Sequence, residues 1–159
     1  MRMDIRKAIA SDLPELAVLF RQTVLVNAPQ YYTSEQTDIW ASSPNNSDQF
    51  RQFIFGVHTF VATDNTGILG FAGISQDGHV ASTYVRHDFL CRGIGSALMD
   101  MVLSYAHIHG MARLYAEASE FSLGLFKKFG FHVYDTEVVD RQGVQFYRHL
   151  VELNLAAHS

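Results

Sequence analysis

The stretch from Tyr84 to Met99 constrains the fold of this chain more than any other part of its sequence. It begins with residues typical of a strand, passes through a short loop and enters a helix whose start contains Gly93 and Gly95. The first N–H groups of a helix have no partner inside the helix, and the helix dipole makes that end partly positive. Glycines there let an anion approach the backbone, and Arg92 adds a full positive charge. The segment therefore predicts an anion site between a strand and a helix.

Three phosphate-binding motifs place glycines in this way, and the surrounding residues distinguish them. A nucleotide P-loop requires Gly-Lys followed by Ser or Thr, and this triplet does not occur in the sequence. A dinucleotide fingerprint has its acidic residue near the position of Glu117, but it requires a third glycine where this chain has Leu98. The third ligand is coenzyme A, whose pyrophosphate requires the same kind of cradle.

The residues around the glycines resemble the GNAT superfamily of acetyl-CoA-dependent N-acetyltransferases. Residues 92–98 read RGIGSAL, residues 84–89 before them read YVRHDF, and residues 125–131 read LFKKFGF. The family motif is [Q/R]-x-x-G-x-[G/A], and residues 90–95 match it except that Leu90 replaces the first Gln or Arg. The contacts that the family implies at this point are mostly main-chain. The resemblance covers most of the chain.

This resemblance implies that acetyl-CoA is the acetyl donor. The end of the strand before the loop would pair through its backbone with the pantetheine arm, and the N–H groups of the loop would hold the pyrophosphate. The cofactor-binding residues that it implies are Thr83, Tyr84, Val85, Cys91, Arg92, Gly93, Ile94, Gly95, Ser96, Ser119 and Phe126.

The composition is typical of one globular domain, which we expect to span residues 1–159. The chain has 159 residues, of which 48% are hydrophobic, and this is enough to bury a substantial core. Its net charge of −4 and its lack of a basic run argue against a nucleic-acid partner. No apolar stretch is long enough for a membrane span, residues 1–4 lack the apolar stretch of a signal peptide, and one cysteine excludes an internal disulfide. We therefore expect a cytoplasmic protein without a membrane partner, as a monomer or homodimer.

The order of the predicted elements indicates an α+β fold with three layers. We expect a mixed, mostly antiparallel central sheet of about seven strands, flanked by about four helices. The strand at 113–118 should lie parallel to the strand at 79–85, because a helical crossover joins them. Asp12 to Glu15 resembles a capping box that opens the first helix. The strands are expected at 3–7, 59–63, 68–75, 79–85, 113–118, 131–139 and 144–153, and the helices at 12–27, 33–40, 93–110 and 119–129, with a short helical piece at 48–55.

Transfer of acetyl from a thioester to an amine needs an oriented complex, donors for the developing oxyanion and a base for the ammonium. Glu117, near the end of a predicted parallel strand, is one candidate base, and His79 on the preceding strand is another. The structural alternatives are a solvated carboxylate at a strand end for Glu117 and a polar residue beside a turn for His79.

Many members of the family carry a tyrosine general acid in a pattern like F-Y-x-K-x-G-F, and the aligned residue here is Phe126. Phenylalanine cannot donate a proton, but a thiol with a pKa of about 8.5 also leaves as the thiolate. Tyr147 on the last predicted strand and Tyr84 are candidate replacements, with core packing as their alternative role. We do not expect an acyl-enzyme on Cys91. His107 and His109 point in different directions on their helix, so we expect no metal.

Aromatic and polar residues between the first two predicted helices are candidates for the acceptor site. In the family this region lies over the acceptor, but the aromatic residues could equally form a lid over the core. Glu35 and Asp38 would favour a cationic acceptor, or they could only complement a helix dipole. The candidate acceptor-binding residues are Tyr31, Tyr32, Trp40 and His79.

The sequence therefore predicts an acyltransferase that moves acetyl from acetyl-CoA directly to a primary amine. The acceptor, a small molecule or a peptide, is left open because a fold and a cofactor motif do not determine it. A non-catalytic acyl-CoA-binding or sensing domain is the main alternative, which Phe126 favours. A dinucleotide-binding enzyme is the other.

Overall fold

The computed structural model describes residues 2–155, and its order of strands and helices confirms the predicted α+β class. The strands are β1 (Asp4–Lys7), β2 (His58–Asp64), β3 (Gly67–Ile74), β4 (Val80–Val85), β5 (Arg113–Ala118), β6 (His132–Arg141) and β7 (Val144–Asn154). The helices are α1 (Leu13–Asn27), α2 (Ser34–Ala41), α3 (Ser47–Phe55), α4 (Ile94–Ile108) and α5 (Leu123–Lys128). Within residues 2–155, no helix is both long enough and apolar enough to span a bilayer.

The seven strands form two sheets rather than one. One sheet has the order β1-β2-β3-β4 and the other has the order β5-β7-β6, and every ladder is antiparallel. The expected parallel pairing of β4 with β5 is reduced to one bridge, between His79 and Tyr115, beside which the Tyr115 N–H donates to the Gly78 oxygen at 3.0 Å. Past this bridge, the described residues show no further pairing between β4 and β5. A gap therefore lies between the carboxyl ends of the two strands.

Two clusters of buried apolar side chains hold the layers together. Helix α4 contributes Leu98 and Val102 to a cluster that contains residues of both sheets, such as Leu69 and Val151. Helices α1 and α3 cover the opposite face of the four-stranded sheet, where Phe71 is fully buried. The crossover helix α4 therefore holds the two sheets in place on either side of the gap.

The start of α1 differs from its predicted form. The Asp12 side chain makes no capping hydrogen bond to α1, so the expected capping box is wrong. Its carboxylate instead accepts the Ile9 N–H at 2.8 Å and pairs with Arg6, which lowers the pKa of Asp12. Glu15 accepts the Ile68 N–H at 2.6 Å, so this carboxylate ties α1 to β3.

The helices near the gap follow the predicted positions, with one shorter than expected. Helix α2 begins after Thr33, whose hydroxyl and backbone N–H exchange hydrogen bonds with Gln36 in a capping box. The helix predicted at 119–129 is only α5, because Ser119 and Ser122 bond to each other in a turn before it begins. This turn follows β5 directly and lies at the mouth of the gap.

Candidate active site

The loop between β4 and α4 has the backbone geometry of an anion site. Cys91 (φ 60°) and Gly93 (φ 81°) both adopt the left-handed conformation. Helix α4 begins at Ile94, and its N-cap Gly93 provides no side chain to bond the first N–H groups. Such groups are available to an anion, and the positive end of the helix dipole lies beside them.

Gly93 and Gly95 contribute to this loop in different ways. A Cβ on Gly93 would meet no atom within 4 Å, but its φ of 81° favours glycine. A Cβ on Gly95 would lie 3.3 Å from Leu125 Cδ2 and 3.5 Å from Val85 Cγ2. Gly93 therefore shapes the loop, whereas Gly95 also lets α4 pack closely against α5 and β4.

Cationic side chains lie in and near the loop, and Lys128 reaches the start of α4. Lys128 at the end of α5 donates from Nζ to Ser96 Oγ at 2.6 Å. Arg92 is exposed, with its guanidinium carbon 5.0 Å from the centre of the Phe89 ring. Lys128 was not predicted from the sequence, yet it is the cation that contacts the first turn of α4.

A groove of about 490 Å³ runs from this loop along the outer edge of β4. We call it the loop groove, and it lies between α1, β4, the start of α4 and α5. The Arg86 N–H donates to the Leu69 oxygen, so by alternation along the strand the N–H and C=O groups of Thr83 and Val85 point away from β3. The Thr23 hydroxyl of α1 donates to the Val85 oxygen at 3.1 Å. The remaining outward groups of β4 face the gap.

A second and larger cavity, of about 1280 Å³, opens between α2, α3 and the hairpin of β6 and β7. We call it the aromatic cleft because ten aromatic side chains line it. These are Phe20, Tyr32, Trp40, Phe50, Phe53, Tyr84, Phe121, Phe126, Phe146 and Tyr147. The two cavities share Thr83, Tyr84, Phe121 and Ser122, so they meet where β4 and β5 separate.

A carboxylate and an imidazole are paired beside this meeting point. Glu117 on β5 lines the aromatic cleft, and its two oxygens lie 2.9 and 3.0 Å from His79 Nε2. Since an ionised carboxylate only accepts hydrogen bonds, His79 donates through Nε2–H. This hydrogen bond lowers the pKa of Glu117 despite its partial burial, and the nearby charge of Arg148 acts in the same direction. Glu117 is therefore held as a carboxylate.

The imidazole of His79 is supported from the side away from the cleft. Its ring stacks on Tyr115, with the ring centres 5.0 Å apart and the planes inclined by 20°. The Tyr115 hydroxyl donates to Asp77 at 2.6 Å, and this bond raises the pKa of Tyr115 to about 12. The orientation of His79 is thus determined by both Glu117 and Tyr115.

Aromatic contacts join α2 to the floor of the cleft. Trp40 stacks on Phe121, with ring centres 5.4 Å apart, and its indole N–H donates to the Tyr84 hydroxyl at 3.2 Å. The Tyr32 hydroxyl accepts the Glu120 N–H at 3.0 Å. Burial raises the pKa of Tyr84 to about 12, so this hydroxyl is a weaker acid than free tyrosine.

The structure brings most of the predicted residues to the two cavities. Among the predicted cofactor residues, those along the loop groove are Thr83, Tyr84, Val85, Cys91, Gly93, Ile94, Gly95 and Ser96. Ser119 and Phe126 line the aromatic cleft instead, and Arg92 lies outside both linings. The Tyr84 ring packs against Phe71, so its side chain points to the aromatic cleft.

The predicted acceptor residues are divided between three places. Tyr32 and Trp40 line the aromatic cleft as expected, whereas Tyr31 lines the loop groove. His79 forms a hydrogen bond with Glu117 but is not part of the cleft lining. Glu35 and Asp38 also lie outside that lining, so neither carboxylate faces the cleft.

Tyr147, a candidate proton donor, and Phe126, which stands at the family's tyrosine position, differ in exposure. Tyr147 lies at the cleft with 64% of its surface exposed, whereas Phe126 is buried and packs against Phe131. Phe126 therefore acts as a core residue at the edge of the cleft. Among residues 2–155, no three His, Cys, Asp or Glu side chains are placed to bind a metal together.

Sequence reasoning did not place Thr23, Asn27, Ser122 or Lys128 beside the glycine loop, although all four line the loop groove. Ser122 stands three residues after Ser119, a spacing typical of hydroxyl-capped turns, so it had a detectable signal. Thr23 and Asn27 had none, because each lies on a helical face that reads as core in the sequence.

Comparisons with known proteins agree with this geometry. The family model described as "Acetyltransferase (GNAT) domain" matches residues 29–153. The uncharacterized N-acetyltransferase YafP of Escherichia coli is 25% identical over 145 residues, which cover 91% of each chain.

Solved structures share the fold. A GCN5-related N-acetyltransferase from Rhodopseudomonas palustris has a TM-score of 0.91 at 24% identity, over 97% of this chain and 98% of that one. The PaiA N-acetyltransferase from Thermoplasma acidophilum, solved in complex with coenzyme A, has a TM-score of 0.80 at 17% identity, over 97% and 99%. Because the family model matches most of its length, this chain belongs to the GNAT acetyltransferase family and is an acyltransferase.

Proposed function

We propose that this enzyme transfers acetyl from acetyl-CoA directly to a primary amine, within one domain. The loop groove takes the donor and the aromatic cleft takes the acceptor. The observation that carries this proposal is the meeting of the two cavities at Thr83, Tyr84, Phe121 and Ser122, next to Glu117.

The loop groove suits coenzyme A at both of its ends. The start of α4 suits the pyrophosphate because no side chain caps its first N–H groups. Lys128 adds a positive charge beside it. The outward backbone groups of Thr83 and Val85 suit the amides of the pantetheine arm. The coenzyme A complex of PaiA supports this assignment through the shared fold.

The Glu117 carboxylate suits the amine at the end of the cleft. In the reaction, the amine nitrogen bonds to the thioester carbon, the C–S bond breaks, and coenzyme A leaves as a thiolate. The amine must lose a proton, which we assign to Glu117, and the protonated carboxyl then returns it to solvent in the cleft. The lowered pKa keeps Glu117 ionised at neutral pH, so it also attracts an ammonium group.

The leaving thiolate requires no dedicated acid in this scheme. Phe126 has no proton to give, and the raised pKa of Tyr84 makes its hydroxyl a poor donor. Tyr147 is the remaining candidate, at the exposed rim of the cleft. We propose that solvent supplies the proton after the thiolate leaves, since the thiol pKa is about 8.5.

The walls of the aromatic cleft favour an acceptor with an apolar body. Trp40, Phe121 and Phe146 present ring surface, while Glu117 provides the one polar end that the reaction needs. Both a small-molecule amine and the amine of a peptide meet this description. The carboxylates of Glu117 and Asp140 line the cleft and would attract a cationic acceptor, whereas Glu35 and Asp38 lie outside the lining.

Thermal unfolding with added ligands tests the donor assignment. Acetyl-CoA and coenzyme A should raise the melting temperature, whereas NAD and ATP should not. At about 100 times the dissociation constant the expected stabilisation is about 2.7 kcal/mol. Thiol release from acetyl-CoA with a panel of amines then tests the reaction. Stabilisation by NAD alone would contradict the donor assignment, and binding without thiol release from any amine would contradict the acceptor assignment.

A further inference from the structure

Asn27, the last residue of α1, is a buried polar side chain with an unused hydrogen-bond donor. Only 6% of its surface is exposed, and its amide nitrogen Nδ2 has no partner among the described residues. Buried amide groups are almost always paired, because an unpaired one loses its hydration without compensation. Asn27 lines the loop groove, so a bound molecule is the available source of a partner.

The neighbours of Asn27 define what this partner would be. One helical turn earlier, the Thr23 hydroxyl donates to the Val85 oxygen, so this face of α1 lies over the outer edge of β4. The anion-binding start of α4, where Lys128 contacts Ser96, lines the same groove. Because Asn27 lies one turn from the contact of α1 with the edge of β4, its amide is placed for the part of a ligand that runs along β4, which in coenzyme A would be the neutral pantetheine arm.

We propose that Asn27 binds the acyl donor by donating from Nδ2 to a carbonyl oxygen of the pantetheine arm. This inference rests on the proposed function, which puts coenzyme A in the loop groove. Pantetheine carries two amide carbonyls, and each of them accepts a hydrogen bond of this type. Asn27 thus contributes to donor affinity from helix α1, which is not part of the glycine loop.

The chain offers a matched control for this proposal. The Thr37 hydroxyl on α2 is also buried without a partner among the described residues, and Thr37 is 3% exposed. Thr37 lines neither the loop groove nor the aromatic cleft. The two positions therefore share the cost of an unpaired buried group and differ in access to the donor.

The test compares Asn27→Leu, Asn27→Asp and Thr37→Val. Asn27→Leu should raise the melting temperature of the free protein, because it removes an unpaired polar group of similar size. It should also raise the Kd for coenzyme A about tenfold, the effect of losing one well-formed hydrogen bond. Thr37→Val should raise the melting temperature and leave the Kd unchanged. Asn27→Asp keeps the shape without the N–H donor and should weaken coenzyme A binding as well.

A fragment of the donor separates a local contact from a general distortion. The nucleotide half of coenzyme A, 3′-phospho-ADP, lacks pantetheine, so its affinity should be the same in the parent and in both Asn27 variants. Each of three results would overturn the proposal. These are an unchanged affinity for coenzyme A in both Asn27 variants, a loss of affinity for 3′-phospho-ADP as large as that for coenzyme A, and a lower melting temperature of Asn27→Leu. A parent protein that binds no coenzyme A would instead refute the proposed function.

Discussion

At the scale of single residues, Glu117 is the side chain on which the proposed chemistry depends. Replacing Glu117 with Gln keeps the shape but removes the base, so kcat/KM for the amine should fall by about 10² to 10⁴-fold. The Kd for coenzyme A should stay the same, because Glu117 lines the aromatic cleft and not the loop groove. Thiol-release kinetics and calorimetry measure the two effects.

Glu120 is a matched control for this substitution. It is also a glutamate bonded to a histidine, with its oxygen 2.8 Å from His149 Nε2, but it lies outside the lining of both cavities. Glu120→Gln should leave kcat/KM within about threefold of the parent. A fall as large as that of Glu117→Gln would assign the effect to structure and not to proton transfer.

The pairing of Glu117 with His79 also predicts a pH dependence. The His79 hydrogen bond lowers the pKa of Glu117, so the base stays ionised to a pH below the usual glutamate range. His79→Gln weakens this effect, and the pKa of Glu117 rises. The acid limb of the kcat/KM profile should therefore move to higher pH in His79→Gln and stay in place in His149→Gln. An unmoved limb in His79→Gln would contradict the assignment of that limb to Glu117.

The two glycines of the loop should respond differently to substitution. Gly93→Ala forces a side chain into the left-handed region, at a cost of about 1 to 2 kcal/mol, and should weaken coenzyme A binding by disturbing the cradle. Gly95→Leu should destabilise the protein more, since even its Cβ would lie 3.3 Å from Leu125. Urea unfolding and calorimetry on both variants measure this order. Equal stability of Gly95→Leu and the parent would contradict the packing role.

Sequence reasoning singled out residues of types that have few uses in a given place. A glycine at a helix start and a glutamate at a strand end each suggest a function, so the glycine loop and Glu117 were named as candidates. Asn27 and Lys128 were missed because Asn occurs at any helix end and Lys on any surface. Their importance comes from what the fold places opposite them, which no local pattern contains.

At the scale of elements, α2 holds the aromatic wall of the cleft in place. Thr33 and Gln36 form its capping box, and the Gln36 side-chain amide also donates to the Gln145 oxygen of β7 at 2.8 Å. Thr33→Ala should lower the free energy of unfolding by about 1 kcal/mol and raise KM for the acceptor, because Trp40 lies on α2. The Kd for coenzyme A should not change.

Thr33→Ser is the control for this prediction because serine retains the capping oxygen. It should restore both the stability, measured by urea unfolding, and the KM of the parent. An acceptor KM that is the same in Thr33→Ala as in the parent would show that α2 does not order the cleft.

The type and order of the elements followed from periodicity, whereas some ends and partners did not. The start of α2 at Thr33 was predicted, and there Thr33 and Gln36 form a capping box within the helix. Asp12 has the same sequence signature, but the guanidinium of Arg6 lies within reach and takes its carboxylate. A cap is a local feature only when no charged group from another element competes for it.

At the scale of the whole molecule, the division into two sheets was beyond sequence reasoning. Periodicity predicts which residues form strands, but β4 and β5 have no pattern that shows how far they stay paired. They separate after the His79–Tyr115 bridge, where α1 and α2 belong to one buried cluster and α4 and α5 to the other. The family resemblance implied a cofactor at this place, while the sequence alone implied an ordinary crossover.

The lone bridge between β4 and β5 has a consequence for the catalytic cycle. The two sheets are not paired beyond this bridge, and the outward backbone groups of Thr83 and Val85 border the opening between them. With the donor in place, we expect its pantetheine arm to act as a temporary strand that completes the sheet. The two sheets would then be joined most firmly while acetyl-CoA is bound and least firmly after product release. Each turnover would thus form and break a part of the β-structure.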